Sequence, residues 1–154
     1  MRTIKFRAWD KERKEMYYSD FRVDFNGRIF WWKSEEGYED WRHDDTVELM
    51  QYTGIEDKNG KEIYEGDVIF IQDTYTETVD VGVGRVPVAQ ENDPHIVEVM
   101  FLGSAFGVRV TENKDTLESG WHAFTTLGEE IDIPNNLEVI GNIYENPELL
   151  EVKE

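Results

Sequence analysis

A mainly β fold is predicted, on three observations. β-Branched and aromatic residues recur in runs of five to eight, separated by Gly, Asn and Asp. Asn-Gly occurs between such runs at Asn26-Gly27 and again at Asn59-Gly60, where a tight reversal fits. Glu65-Gly66-Asp67 feeds the apolar run Val68-Ile69-Phe70-Ile71. Small β-barrels often open this way, because glycine bends the chain sharply and the carboxylate accepts hydrogen bonds from N–H groups of the turn. Helical periodicity is scarce.

The elements follow in order. Thr3 to Trp9 alternates, with Ile4, Phe6 and Ala8 on one face and Thr3, Lys5, Arg7 and Trp9 on the other, as in a half-buried strand. Met16 to Tyr18 can pair back onto it across a charged tip at Lys11, Arg13 and Lys14. Phe21 to Phe25 and Arg28 to Trp32 form the clearest hairpin, with Asn26-Gly27 supplying the positive φ angles of a two-residue turn. Residues 33 to 45 are polar and acidic around Trp41 and read as a loop with room for one helical turn. Val47 to Tyr52 is a strand closed by Thr53-Gly54, and Asn59-Gly60 reverses the chain before Lys61 to Tyr64. After Val68 to Ile71, residues 73 to 95 read as an excursion, a long hairpin reversing near Gly82 or Gly84. Strands resume at Ile96 to Phe101, Ala105 to Val110, Trp121 to Phe124 and Leu137 to Tyr144. Asn146 and Pro147 then stand at the N-cap and first position of a terminal helical turn.

At 154 residues a single compact unit is expected. The 34 acidic and 16 basic side chains give a net charge of −18. Residues 1–60 carry 11 basic and 14 acidic groups, a net of −3, and residues 61–154 carry 5 and 20, a net of −15. Such a balance argues against nucleic acid as partner, since phosphates call for clustered Lys and Arg. The locally basic Arg2, Lys5, Arg7, Lys11, Arg13 and Lys14 could meet a phosphate or an acidic partner, but a solvated hairpin tip explains Lys11, Arg13 and Lys14 better. There is no cysteine, which removes disulfides and thiol chemistry and fits a reducing compartment. Residues 1–10 lack the apolar run of a signal peptide, and no run approaches the ~18 residues of a membrane span.

No motif assembles a reaction centre. His43, His95 and His122 are widely separated, and His43-Asp44-Asp45 reads as a solvated acidic loop rather than a metal site. Asp57 to Glu62 starts like a calcium loop, yet its glycine stands fourth rather than sixth. Gly82 and Gly84 form G-x-G without the third glycine of a phosphate cradle. No catalytic residue, cofactor or metal ligand is therefore assigned. Trp31-Trp32 is more telling: consecutive strand residues point to opposite faces, so one of the pair is exposed or covered by something beyond its own sheet. Trp31, Trp32 and Trp41 are the candidate interaction surface. A second layer of the same chain covering the exposed indole is the competing explanation.

Three blocks together resemble the YopX family of phage- and prophage-encoded proteins: Lys5-Phe6-Arg7-Ala8-Trp9-Asp10; Leu49 to Gly54 with Asp57-Lys58-Asn59-Gly60-Lys61-Glu62-Ile63-Tyr64-Glu65-Gly66-Asp67; and Val139-Ile140-Gly141-Asn142-Ile143-Tyr144-Glu145-Asn146-Pro147-Glu148-Leu149-Leu150. The resemblance implies an SH3-like barrel after Gly66-Asp67, a homo-oligomer and no established biochemical role. The expected organisation is an N-terminal β-hairpin region over 1–60, a barrel over 61–145 with an insertion near 73–95, and a tail over 146–154. The expected protein is non-enzymatic, works in binding or assembly in the bacterial cytoplasm, and has itself or a host or phage protein with a basic surface as partner. Two alternatives stay open: an acidic DNA mimic that occupies a host protein's basic groove, and a phage accessory acting on nucleic acid or nucleotides.

Overall fold

The computed structural model describes residues 3–35, 38–72, 74–80, 82–91, 94–110, 120–124 and 133–151. The fold is mainly β, and the SH3-like barrel expected after Gly66-Asp67 takes the form of a half-barrel of curled antiparallel sheets. In the first sheet, β1 (Phe6–Asp10) pairs with β2 (Glu15–Tyr17) on one side and β6 (Val47–Glu56) on the other, and β7 (Glu62–Tyr64) continues from β6. A three-stranded sheet holds β3 (Phe21–Val23), β4 (Ile29–Glu35) and β5 (Tyr38–His43). The five-stranded sheet centres on β8 (Asp67–Ile71), which pairs with β11 (His95–Leu102) and β14 (Leu137–Asn142). The strands β12 (Ala105–Val110) and β13 (Gly120–Ala123) follow β11 outward. The excursion is a hairpin of β9 (Thr74–Asp80) and β10 (Arg85–Glu91), reversing through Gly82 and Gly84 as expected. A helical turn, α1 (Ile133–Asn136), leads into β14, and a 3-10 turn spans Pro147–Leu150.

Both Asn-Gly reversals are built alike, and neither is the two-residue turn the dipeptide suggests. Only the glycine takes a positive φ, +79° at Gly27 and +76° at Gly60. Each belongs to a five-residue Asp-x-Asn-Gly-basic loop. Its first N–H donates to the last carbonyl, Asp24 to Arg28 at 3.0 Å and Asp57 to Lys61 at 2.8 Å. The leading aspartate dictates the longer form, because its Oδ1 accepts from the N–H two and four residues on.

Asp57 does more than Asp24. It is 5% exposed, and its Oδ2 accepts the Val139 N–H of β14 at 3.0 Å, tying the loop to the half-barrel. Burial pushes its carboxyl up, but the N–H donors of Val139, Lys61 and Asn59 outweigh burial and hold it below the usual carboxylate range. A carboxyl depressed in the fold stabilises above its unfolded value and loses that contribution as pH falls through the folded one. Asp57→Ala is expected to cost about 2 to 3 kcal/mol at neutral pH, with the deficit shrinking in acid, whereas Asp24→Ala, at the surface, loses less. Thermal melts across acid and neutral pH check both.

Three further sequence expectations are corrected. Residues 38–43, expected in a loop, form β5, a charged edge strand whose period is hidden by its acidic side chains. The strand β6 does not stop at Thr53-Gly54. It runs on to Glu56, and its pairing with β7 shifts register between Tyr52 and Glu56, where Gly54 takes φ +92°. Asn146 makes no side-chain cap to the terminal turn; the neighbouring Asn142 Oδ1 accepts instead from Tyr144 and Glu145 N–H.

The main core lies inside the half-barrel, where Ile69, Ile71, Val97, Val99, Val108 and Leu137 meet Ile63 of β7. The first strand is buried on both faces, contrary to its alternation. Ala8 packs with Ile29 and Val47 under the three-stranded sheet, while Trp9 is 6% exposed and stacks on Tyr144 at 5.6 Å. Arg7 reaches across to β8, its Nη2 2.6 Å from Asp67 Oδ1, with both side chains under 5% exposed. Asp67 Oδ2 accepts the N–H of Tyr64, the last residue of β7 before the Glu65-Gly66 turn, at 2.7 Å. Half of the basic entrance is thus consumed within the chain, Arg7 by Asp67, Lys5 by Glu62 and Lys11 by Glu48, while Arg2 lies outside the described residues.

Candidate functional site

The three-stranded sheet has one face turned to the body of the protein and one to solvent, and the register assigns each side chain. Phe21 lies opposite Trp31 and Val23 opposite Ile29, on the inward face. Arg22 lies opposite Phe30, Phe30 opposite His43, and Trp32 opposite Trp41, on the outward face. The consecutive tryptophans therefore part company. Trp31 is half-buried against Tyr17 (4.7 Å, 64°) and Phe21 (5.6 Å, 62°), next to the Ala8, Ile29 and Val47 cluster. Its cover is another layer of the same chain. Trp32 stays 47% exposed and meets Trp41 edge to face at 5.4 Å.

The outward face is aromatic and carries a cation. Phe30 and His43 meet edge to face at 5.4 Å, beside the Trp32 and Trp41 pair. Neighbouring strands lie about 4.8 Å apart, so β3 and β5 are separated by roughly twice that. An arginine is long enough to span the gap, and the Arg22 guanidinium reaches over Phe30's strand to sit 3.9 Å from the centre of the Trp41 ring. A guanidinium on an indole face is held by the ring quadrupole and keeps its N–H edges free for a further acceptor. Arg22 has no carboxylate partner among the described residues. Arg28, near Phe30, is paired with Asp24 at 2.7 Å. His43 Nδ1 lies 3.3 Å from Asp45, while Asp44 accepts from Thr46.

Sequence reasoning singled out Trp31, Trp32 and Trp41. The structure brings Trp32 and Trp41 together on the outward face and sends Trp31 inward. Arg22 was missed, although the clean alternation of Phe21 to Phe25 places it on the face opposite Phe21.

A second feature had no sequence signal. A cavity of about 250 Å3 opens between β6, the Glu65-Gly66 turn, β11 and residues 143–144, lined by Glu48, Glu65, Glu98, Met50, Met100 and Tyr144. Its carboxylates come from residues 48, 65 and 98, which only the fold brings together. Glu48 is engaged by Lys11. Glu65 and Glu98 have no cationic partner among the described residues. Burial raises both above the usual carboxylate range, and the charge of Glu65 lifts Glu98 further. The Tyr144 phenol is raised by burial and by the charges of Glu48, Glu65 and Glu98.

A carboxyl raised in the fold contributes its stability below the unfolded value and loses it as pH rises through the folded one. Glu98→Gln is therefore expected to raise the melting temperature at neutral pH by a few degrees, a gain that fades in acid; melting curves at the two pH values check it.

Among the described residues, no three His, Asp and Glu side chains are arranged to hold a metal ion, and no helix is long and apolar enough to cross a membrane.

Comparison with known proteins agrees with the three sequence blocks. The crystal structure of protein EF1440 from Enterococcus faecalis is similar, with 27% identity over 98% of this chain and all of that one and a TM-score of 0.50. That of protein yopX from Bacillus subtilis is similar in fold, with 24% identity over 98% of this chain and all of that one and a TM-score of 0.56. No curated protein sequence matches. The family model described as "YopX protein" matches residues 5–151. With all but the ends of the chain matched, from Lys5 of the first block to Glu151 beyond the last, this protein belongs to the YopX family.

Proposed function

We propose that this protein works by binding, as an assembly component rather than an enzyme, and that the outward face of β3, β4 and β5 is the surface it uses, first of all toward copies of itself. The observation that carries the reading is the split of the tryptophan pair: Trp31 completes the protein's own core, while Trp32, with Trp41 and Arg22, remains on the solvent side. Exposed indoles and an arginine are the residue types that dominate binding energy at protein interfaces. In this reading residues 1–60 present the surface, and the barrel over 61–145 carries it. Phage or prophage origin and a cytoplasmic site of action belong to the same reading.

Sedimentation velocity over a range of concentrations tests it. The wild-type chain is expected to associate, and Trp32→Ser is expected to remain monomeric with its β circular-dichroism spectrum intact. A wild-type monomer at every concentration would overturn the proposal. The charge of −15 in residues 61–154 supports a second reading, a DNA mimic. Its mark would be stoichiometric binding to a host DNA-binding protein that is competed by duplex DNA.

A further inference from the structure

Among the described residues no strand follows β5 in its sheet, whereas the outer edge of β14 is taken by the Asp57 loop, through Lys58 N–H to the Leu137 carbonyl and Val139 N–H to Asp57 Oδ2. The remaining end strands of the three-, four- and five-stranded sheets, β2, β3, β7 and β13, have only three or four residues, against six in β5. The Asp44 N–H donates to the Ile29 carbonyl beside β4. By alternation, Asp40 and Arg42 turn their backbone groups to β4, while Glu39, Trp41 and His43 turn theirs to the outer edge. We propose that two copies of this chain join antiparallel along β5, Trp41 opposite Trp41 across a two-fold axis, to make one six-stranded sheet. This rests on the aromatic face being a self-association surface, and it names the contact that brings two such faces together.

Charge selects this register. Identical edges paired antiparallel in one sheet are related by a two-fold axis normal to it, so one residue stands opposite itself. With Glu39, Asp40 or Arg42 on the axis, like charges meet there. With Tyr38 or His43 on it, most of the strand is left unpaired. Centred on Trp41, the register sets Asp40 opposite Arg42 of the second copy and Glu39 opposite His43, each twice. The Trp41 backbone then exchanges two hydrogen bonds with Trp41 of the second copy, as Glu39 does with His43. Trp41 is positioned beforehand by the Trp32 ring at 5.4 Å and the Arg22 guanidinium at 3.9 Å. Trp32 stands two strands from Trp41 of the second copy, the same gap Arg22 spans within the chain, so the indoles of the two copies form one row. A charged edge strand ordinarily resists pairing; here the same charges reject the neighbouring registers and fit this one.

A charge swap provides the test. Asp40→Arg and Arg42→Asp each place like charges opposite one another, and each is expected to weaken association about ten-fold or more in sedimentation velocity. The double variant restores opposite charges and is expected to associate as the wild type does. Hydrogen exchange of the wild type, read residue by residue by NMR, is expected to slow at the Trp41 and His43 N–H groups on concentration. Circular dichroism and melting of every variant establish that it is folded. Single variants that associate at wild-type strength, a double variant no stronger than the singles, or Trp41 and His43 N–H groups whose exchange ignores concentration would overturn the strand pairing. If that happens while Trp32→Ser still abolishes assembly, the aromatic face stands and only the edge contact falls. If the wild type never associates, both proposals fall.

Discussion

Arg7→Met is expected to destabilise the fold by about 3 to 5 kcal/mol, the cost of removing one partner from a buried ion pair. The side chain is replaced by one of similar length, so packing is largely kept and the loss falls on Asp67. That carboxylate is 1% exposed and has Arg7 Nη2 2.6 Å away, together with the Tyr64 N–H at 2.7 Å. Even with Arg7 present, burial raises Asp67 above the usual carboxylate range, an effect that Arg7 and the Tyr64 N–H partly offset. Without the guanidinium, the remaining charge keeps only the weaker attraction of Lys61 and the Tyr64 N–H, and protonation becomes the way to bury it.

The sign follows from linkage. A raised carboxyl favours the fold most where it is protonated, so the deficit of Arg7→Met should shrink as pH falls toward about 4. Adding Asp67→Asn should recover part of the loss at neutral pH, making the double variant more stable than the sum of the singles. The drop in melting temperature at neutral pH is expected to be about 10 °C or more for a chain of this size. A variant that melts within a degree or two of wild type would show that the pair adds little to the union of β1 with β8.

Gly107→Ala is expected to cost about 3 kcal/mol, at the upper end for overpacking, because the obstruction is backbone and cannot rotate away. Gly107 of β12 lies directly opposite Ala123 of β13. A Cβ there overlaps the His122 carbonyl oxygen and stands 2.7 Å from the Ala123 Cα. The two strands must separate to admit it. The expected readout is loss of hydrogen-exchange protection across β12 and β13, with β1 and β6 unaffected. Gly103→Ala is the control, since its Cβ meets nothing within 4 Å and only its φ of +69° resists, for about 1 kcal/mol.

The same residues show where reading the chain succeeds. Strands made of β-branched residues, such as Val68 to Ile71 or Ile96 to Phe101, are legible because their burial is set by their own sheet. The edge strand β5 is not legible. Glu39, Asp40 and Arg42 break up its hydrophobic period, and Trp41 alone gives no phase. Trp9 is misplaced by alternation for a different reason: its cover, Tyr144, comes from the far end of the chain. The Arg7–Asp67 pair spans 60 residues and leaves no local trace. At the candidate surface, the period of two suffices to part Trp31 from Trp32. That Trp41 joins Trp32, and that Arg22 crosses to it, depends on a register fixed by the whole hairpin. The Glu65 and Glu98 cavity is purely a product of the fold.

The most direct test of the binding surface is tryptophan footprinting of the wild-type chain by brief oxidation, read by mass spectrometry in dilute and in concentrated solution. Trp32 is expected to be modified readily when dilute and to become protected on concentration, with Trp41 following it, while buried Trp9 is unreactive in both. Modification of Trp32 that does not change from one concentration to the other would contradict the account.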